Sequence, residues 1–233
     1  MTGLSKSLKD ELTKFGADIV GFGDISELPE DMREGLPVGV CVAVVYPKEI
    51  IRGITELPTK EYSEWYDRLN EKLDSIVSQG ADLLHKMGFV AVAQTREYVN
   101  SREGVQFEDN TVLPHKTVAT RAGVGWIGKC ALLVTQEYGS AIRLSSILTD
   151  APLDIAEPAN KSLCGGCLIC TDACPGDAVS GGLWEVGIYR DEFFDAEKCR
   201  KAARERAKLG FGGDYTICGK CIEVCTHTRR YTG

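Results

Sequence analysis

Between Cys164 and Cys225 the chain gathers the residue type best suited to holding iron. Cys164, Cys167, Cys170 and Cys174 stand at C-x2-C-x2-C-x3-C with Pro175 next, and Cys199, Cys218, Cys221 and Cys225 follow. The first spacing is the one that wraps a cubane iron–sulfur cluster in thiolates. Eight cysteines meet the demand of two [4Fe–4S] clusters at four thiolates each. Thiolates so close in sequence can grip one cube only if the backbone curls tightly. Gly165 and Gly166 lack a Cβ and permit the curl, and Pro175 fixes φ and turns the chain away. Structural zinc also uses Cys-x2-Cys pairs, but in separated pairs. Here four cysteines fall within eleven residues. A disulfide framework would call for a secretory signal, and none is visible.

In two-cluster ferredoxins the fourth cysteine of a run crosses to the other cluster. Carried over, that pattern gives Cys164, Cys167, Cys170 and Cys225 to one cluster. The other takes Cys218, Cys221 and Cys174, with Cys199 as its remaining ligand.

A chain of 233 residues with 43% apolar side chains can build a domain beside the cysteine region. The opening residues 1–14 are amphipathic and polar, without an apolar signal core, so a cytoplasmic location is expected. No apolar run approaches transmembrane length, and no membrane partner is expected. Formal charge is −7, and two loaded clusters would take it to about −11. A polyanion binds phosphate backbones poorly. Lys198, Arg200, Lys201, Arg204, Arg206 and Lys208 form a basic patch on a helix-prone segment. It reads first as a solvated helix face and second as a docking surface.

The remaining elements must position the cysteines. Leu4, Leu8, Leu12 and Phe15 recur at helical spacing, and Gly16 ends the helix. Residues 18–23 read as a strand, and 38–46 as a buried strand with Cys41 as a core residue. Residues 59–87 read as one long amphipathic helix or a broken pair, with Gly80 a break or a close contact. His85 is a capping or surface residue, since Asp82-x2-His85-x2-Gly88 misses the spacing of histidine-ligated cobalamin by one residue. Residues 89–93 make a further strand, and the order implies an α/β or α+β layer. Gly123-Val-Gly-Trp-Ile-Gly128 is a literal G-x-G-x-x-G, but strands are predicted after it, at 130–135 and 141–149. A dinucleotide site needs the reverse order. These glycines more simply let the backbone press on something flat or pack around Trp126. Cys130 reads first as core and second as a residue facing a cofactor, and 181–194 as an insert over the clusters.

Leu113-Pro-His-Lys-Thr-Val-Ala-Thr-Arg-Ala-Gly-Val-Gly-Trp-Ile-Gly-Lys129, then Tyr138-Gly139 and Leu148-Thr-Asp-Ala-Pro152, precede the cysteine run. Together they resemble the epoxyqueuosine reductase family, more closely its short iron–sulfur relatives, over residues 10–228. The resemblance implies a cobalamin-reductase-like α/β domain over 1–155 and a two-cluster ferredoxin-like module over 156–233, a fold shared with reductive dehalogenases. It implies a corrinoid held base-off without a histidine ligand, reduced by the clusters. The resemblance offers Lys116, Arg121, Gly123, Gly125, Trp126, Gly128 and Lys129 to contact it, with Lys116, Arg121 and Lys129 open also to substrate anions or to a plain surface role. The family's catalytic acid is an aspartate upstream of Arg121, which points to Asp109. His115 is the first candidate proton donor, because imidazole titrates near neutral pH.

Three departures matter. The chain ends before the helical repeats that grip tRNA in the family. With the acidic balance, tRNA is therefore expected to be an unlikely partner and a small molecule the substrate. An electron donor such as a ferredoxin or flavodoxin is implied. Thr226 follows Cys225 where the family has proline, which adds a backbone N–H that could tune a cluster. His115-Lys116 replaces an acidic-basic pair. The rival function is a ferredoxin-type electron carrier or reductive activator without a further cofactor. Against it stand the 160-odd residues before the clusters, enough for a core and a pocket.

Overall fold

The computed structural model describes residues 3–102 and 112–233. The chain divides into two compact units, each built from separated stretches. The first takes Met1–Val44, Leu69–Val124 and Arg143–Ala159; the second takes Val45–Arg68, Gly125–Ile142 and Asn160–Gly233. The second unit thus draws on stretches well before residue 156.

The first unit is a layered α/β structure. Helix α1 (Gly3–Lys14) buries Leu8 and Leu12, and Gly16, at φ +107°, turns the chain into strand β1 (Ile19–Asp24). Strand β2 (Val38–Val45) is apolar and almost wholly buried, as a strand covered on both faces should be. Short helix α2 (Lys48–Arg52) precedes the 27-residue helix α3 (Lys60–Lys86). That helix is continuous through Gly80. A Cβ there would stand 2.6 Å from Ile147 Cδ1 and 2.7 Å from Leu12 Cδ2, so the glycine marks close packing. Strand β3 (Ala91–Ala93), helix α4 (Arg96–Ser101) and helix α5 (His115–Arg121) follow. His85 closes α3 with Nε2 2.9 Å from the Ala91 carbonyl oxygen, a packing role.

Strands β4 (Trp126–Ile127) and β5 (Leu133–Val134) form a separate antiparallel pair, and β6 (Ile142–Thr149) returns to the main sheet. The main sheet runs β1-β2-β6-β3, with β1/β2 and β3/β6 antiparallel. Strand β1 alternates. Val20 and Phe22 are buried on one face, while Gly21 and Gly23 admit Ala122 and the end of α5 on the other. No helix follows the G-x-G-x-x-G within the hairpin that contains it, in line with the strands predicted there.

The second unit carries helices α6 (Ile169–Asp172), α7 (Ala196–Phe211), α8 (Lys220–Glu223) and α9 (Thr226–Thr232). The insert at 181–194 has isolated bridges, Lys161 to Glu185 and Val179 to Phe194, and a 3-10 turn at Arg190–Glu192. Residues 45–68 brace the carboxyl end. The Tyr231 hydroxyl donates to the Tyr46 carbonyl at 2.8 Å, Lys220 Nζ to the Thr55 carbonyl at 2.6 Å, and Arg52 to the Thr232 carbonyl. No described helix is long and apolar enough to cross a membrane.

Candidate iron–sulfur site

All eight predicted ligand cysteines belong to the second unit and are partly exposed, whereas Cys41 and Cys130 are buried. Local structure aims each run. Cys164 to Cys170 curls through Gly165 at φ +52° into the single turn α6. Cys174 lies just past α6 and its sulfur accepts the Ala178 N–H at 3.3 Å. Cys199 sits in the first turn of α7, which Asp195 caps by accepting the Lys198 N–H at 2.9 Å. Cys218 and Cys221 flank the entry to α8, and Cys225 is the residue that opens α9.

Five of the eight thiols share one cavity, and among the described residues no three His, Cys, Asp or Glu side chains are set to hold a single metal ion. Cys164, Cys167, Cys170 and Cys225 line one cavity of about 60 Å³, together with Gly128, Lys129, Cys130, Cys221 and His227 among others. Cys199 stands against Cys218 and Cys174 instead, and burial followed by those two neighbours pushes its thiol up to about 11. Burial also raises the Cys225 thiol, against the pull of the Thr228 and His227 N–H groups at the start of α9; Cys164 adds to the rise. The amides that reach Cys225 are thus those two, further along than Thr226. Bound iron would supply the positive charge that lets Cys199 and Cys225 ionise, with release of protons.

The donor set fits iron–sulfur cubes. Eight soft thiols lie in one unit, five of them around one cavity, and thiolate is the donor such cubes take. A buried cation and an orphaned ring nitrogen sit at the same place. Lys129 is only 4% exposed and lines the cavity; the Cys170 thiol is raised by its contact with Cys130 and by burial, and the Lys129 charge opposes that rise. His227 Nδ1 and Trp126 Nε1 are buried without a hydrogen-bond partner among the described residues, and their rings meet edge-on at 5.1 Å. An unpaired N–H beside a thiol cavity is costly unless an acceptor arrives, and cluster sulfur is one.

The glycines of the hairpin serve packing in the structure. A Cβ on Gly123, at φ +62°, would lie 2.5 Å from the Glu157 carbonyl oxygen, and one on Gly125 would overlap the Val134 carbonyl oxygen. Gly128 faces the cavity, its would-be Cβ 3.6 Å from Cys164 Sγ and 3.7 Å from Cys130 Sγ. Arg121, in the first unit, is paired with Glu27 at 2.6 Å. Lys116 lies in the first turn of α5 and is half-buried. Asp109 lies outside the described residues.

His115 opens α5 in the first unit, with Nδ1 2.9 Å from Ser146 Oγ. Burial first, then Arg143, depress its pKa to about 4, with Asp74 opposing. The ring is therefore uncharged at neutral pH, so any proton it gives there comes from a neutral imidazole N–H. The unfolded chain takes up this proton first as pH falls. Stability present above pH 6.5 is thus lost between there and about 4. Partial exposure screens the loss to about 1–2 kcal/mol. His115→Gln should flatten the fall in Tm over that window by a few degrees, read by thermal denaturation.

Sequence reasoning missed His227, and it placed Cys130 in the core, where it is buried beside the cavity. Cys130 opens an apolar stretch and so looked like core; His227 lies two residues past a ligand, which was the available signal.

Residues 163–228 match the family described as a 4Fe–4S double cluster binding domain. That stretch is thus similar to a double-cluster iron–sulfur domain, and it accompanies a mixed α/β remainder. In sequence the chain is a relative of the epoxyqueuosine reductases. One from Cyclobacterium marinum is 30% identical over 142 residues, covering 58% of this chain and 43% of that protein. The match therefore spans less than half the length of that relative. In fold the chain resembles an epoxyqueuosine reductase solved with an epoxyqueuosine-modified tRNA-Tyr stem loop (TM-score 0.62, 20% identity, 97% of this chain and 65% of that one). It also resembles a reductive dehalogenase described by a B12-dependent mechanism (TM-score 0.69, 19% identity, 97% and 33%).

These likenesses overturn the expectation that tRNA is an unlikely partner. The sequence relatives are named for a tRNA-borne nucleoside, and one solved neighbour holds the stem loop itself. Net charge misled because phosphate contacts are local. A chain at −7 still exposes Lys198, Lys201, Arg204 and Lys208 along α7.

Proposed function

We propose that this chain is an iron–sulfur reductase whose two [4Fe–4S] clusters deliver electrons to the epoxide of an epoxyqueuosine-type nucleoside carried on tRNA. The observation that carries it is the gathering of five thiols of both runs, Cys225 with Cys164, Cys167 and Cys170 and Cys221 beside them, around one cavity, while Cys199 neighbours Cys218 and Cys174. Removing an epoxide oxygen as water consumes two electrons and two protons, which suits a pair of one-electron carriers. Cys164, Cys167, Cys170 and Cys225 hold one cube, and Cys174, Cys199, Cys218 and Cys221 the other. Lys129 offsets their negative charge from within, and His227 offers its ring N–H to cluster sulfur.

A base-off corrinoid belongs to the same proposal, supported by the B12-dependent description of a protein with this fold. When bound, it supplies cobalt-centred electron and radical chemistry. Arg121, Gly123 and Gly125, assigned to it from sequence, are engaged with Glu27, Glu157 and Val134. The part left to this chain is proton delivery, with the His115 N–H or the Asp109 carboxyl as donor. An electron donor of the ferredoxin or flavodoxin kind completes the system.

Anaerobically reconstituted protein, supplied with hydroxocobalamin, a reductant and an epoxyqueuosine-modified tRNA stem loop, should yield a nucleoside lighter by one oxygen on mass spectrometry. Cobalt should be retained with a base-off spectrum. Intact substrate and no retained cobalt, with clusters that still reduce a partner protein, would establish the carrier function instead.

A further inference from the structure

Cys130 is a ninth thiol inside the site. It is 4% exposed and lines the cavity with Cys164, Cys167, Cys170, Cys221 and Cys225. Its sulfur and that of Cys164 flank the vacant Cβ position of Gly128 at 3.7 and 3.6 Å. It also stands within hydrogen-bond reach of Cys170 and of Cys221. In the ligand sets above those two belong to different clusters, so Cys130 touches a ligand of each.

We propose that Cys130 is a reserve iron ligand able to take the place of Cys170 on one cluster or Cys221 on the other. The exchange needs no oxidant or reductant. The iron–sulfur bond to Cys170 breaks, one to Cys130 forms, and the Cys130 proton passes to the departing Cys170 sulfur across their contact. Charge and electron count are unchanged. Such a thiol lets a cluster survive transient loss of one ligand.

This rests on the two-cluster assignment, and the test keeps the two apart. The full chain is reconstituted anaerobically, and iron, acid-labile sulfide and the EPR spectrum of the reduced protein are recorded. Wild type and Cys130→Ala should each hold about eight irons. Cys170→Ala should stay near eight with an altered EPR signal, whereas Cys130→Ala/Cys170→Ala should fall to about four. Cys221→Ala with and without Cys130→Ala repeats the comparison at the other cluster, should the first variant fold poorly. In the loaded Cys170→Ala protein Cys130 should resist alkylation. If both single variants, Cys170→Ala and Cys221→Ala, hold no more iron than their doubles, the reserve ligand is refuted while the clusters stand. An iron-poor wild type would refute the cluster assignment itself.

Discussion

Cys199→Ala should halve the iron of the reconstituted protein, from about eight atoms per chain to about four, and remove one of two reduced-cluster EPR signals. Cys199 is the ligand no short motif supplies. It reaches its set from the first turn of α7, a helix fixed at one end by the Asp195 cap and at the other by Gly212 in the left-handed conformation. Its neighbours are Cys218 and Cys174, whereas Cys130 contacts Cys170 and Cys221. No spare thiol stands beside it, so its loss should go uncompensated, unlike that of Cys170. Reduction of the modified stem loop should fall below detection, because one of the two electron carriers is gone. Metal analysis and EPR of the purified variant, beside a circular dichroism spectrum like that of wild type, decide the matter. Retention of eight irons would show that Cys199 is not a ligand.

The second large effect is on stability. Gly125→Ala should cost at least about 3 kcal/mol, since the new Cβ would overlap the Val134 carbonyl oxygen, an atom of backbone that no rotamer can move. In a chain of this size that corresponds to a fall in Tm of about 6–12 °C. The β4–β5 pair, Trp126 opposite Val134 and Ile127 opposite Leu133, would have to separate. Gly128→Ala makes the informative contrast. Its Cβ would meet the Val134 Cγ2 methyl at 2.7 Å, a side chain that can turn aside, while pointing between two cavity sulfurs. It should lose cluster occupancy more readily than cluster-free stability. Thermal denaturation with and without clusters, alongside iron content, separates the two outcomes.

How much of this could be read from the sequence depended on the range of the interaction. The cysteine runs are local, so their chemistry was legible from spacing. Helices α1 and α3 and strand β2 were legible too, because an amphipathic stripe or an unbroken apolar run reports burial directly. Gly80 was ambiguous between a break and a contact until Leu12 and Ile147 were seen against it. Cys130 looked like core and is buried, but it is buried among thiols brought from residues 164–225. No pattern around residue 130 encodes that company. His115 carries the opposite lesson. Its type suggested neutral-pH titration, and the desolvation and Arg143 that depress it come from elsewhere in the fold. The tRNA expectation rested on charge averaged over the whole chain, which hides local clusters such as the cations of α7.

The discontinuous make-up of the second unit limits how its electron-carrying part could be reused. A fragment beginning at Asn160 would keep all eight thiols in sequence. It would nonetheless leave behind Tyr46, Ile54 and Tyr62, which pack under Tyr231 and Gly219, and Trp126, which abuts His227. The cluster-bearing tail is therefore not a cassette that can be clipped off and grafted onto another scaffold. Shuffling it among proteins would require carrying two upstream stretches, 45–68 and 125–142, with it.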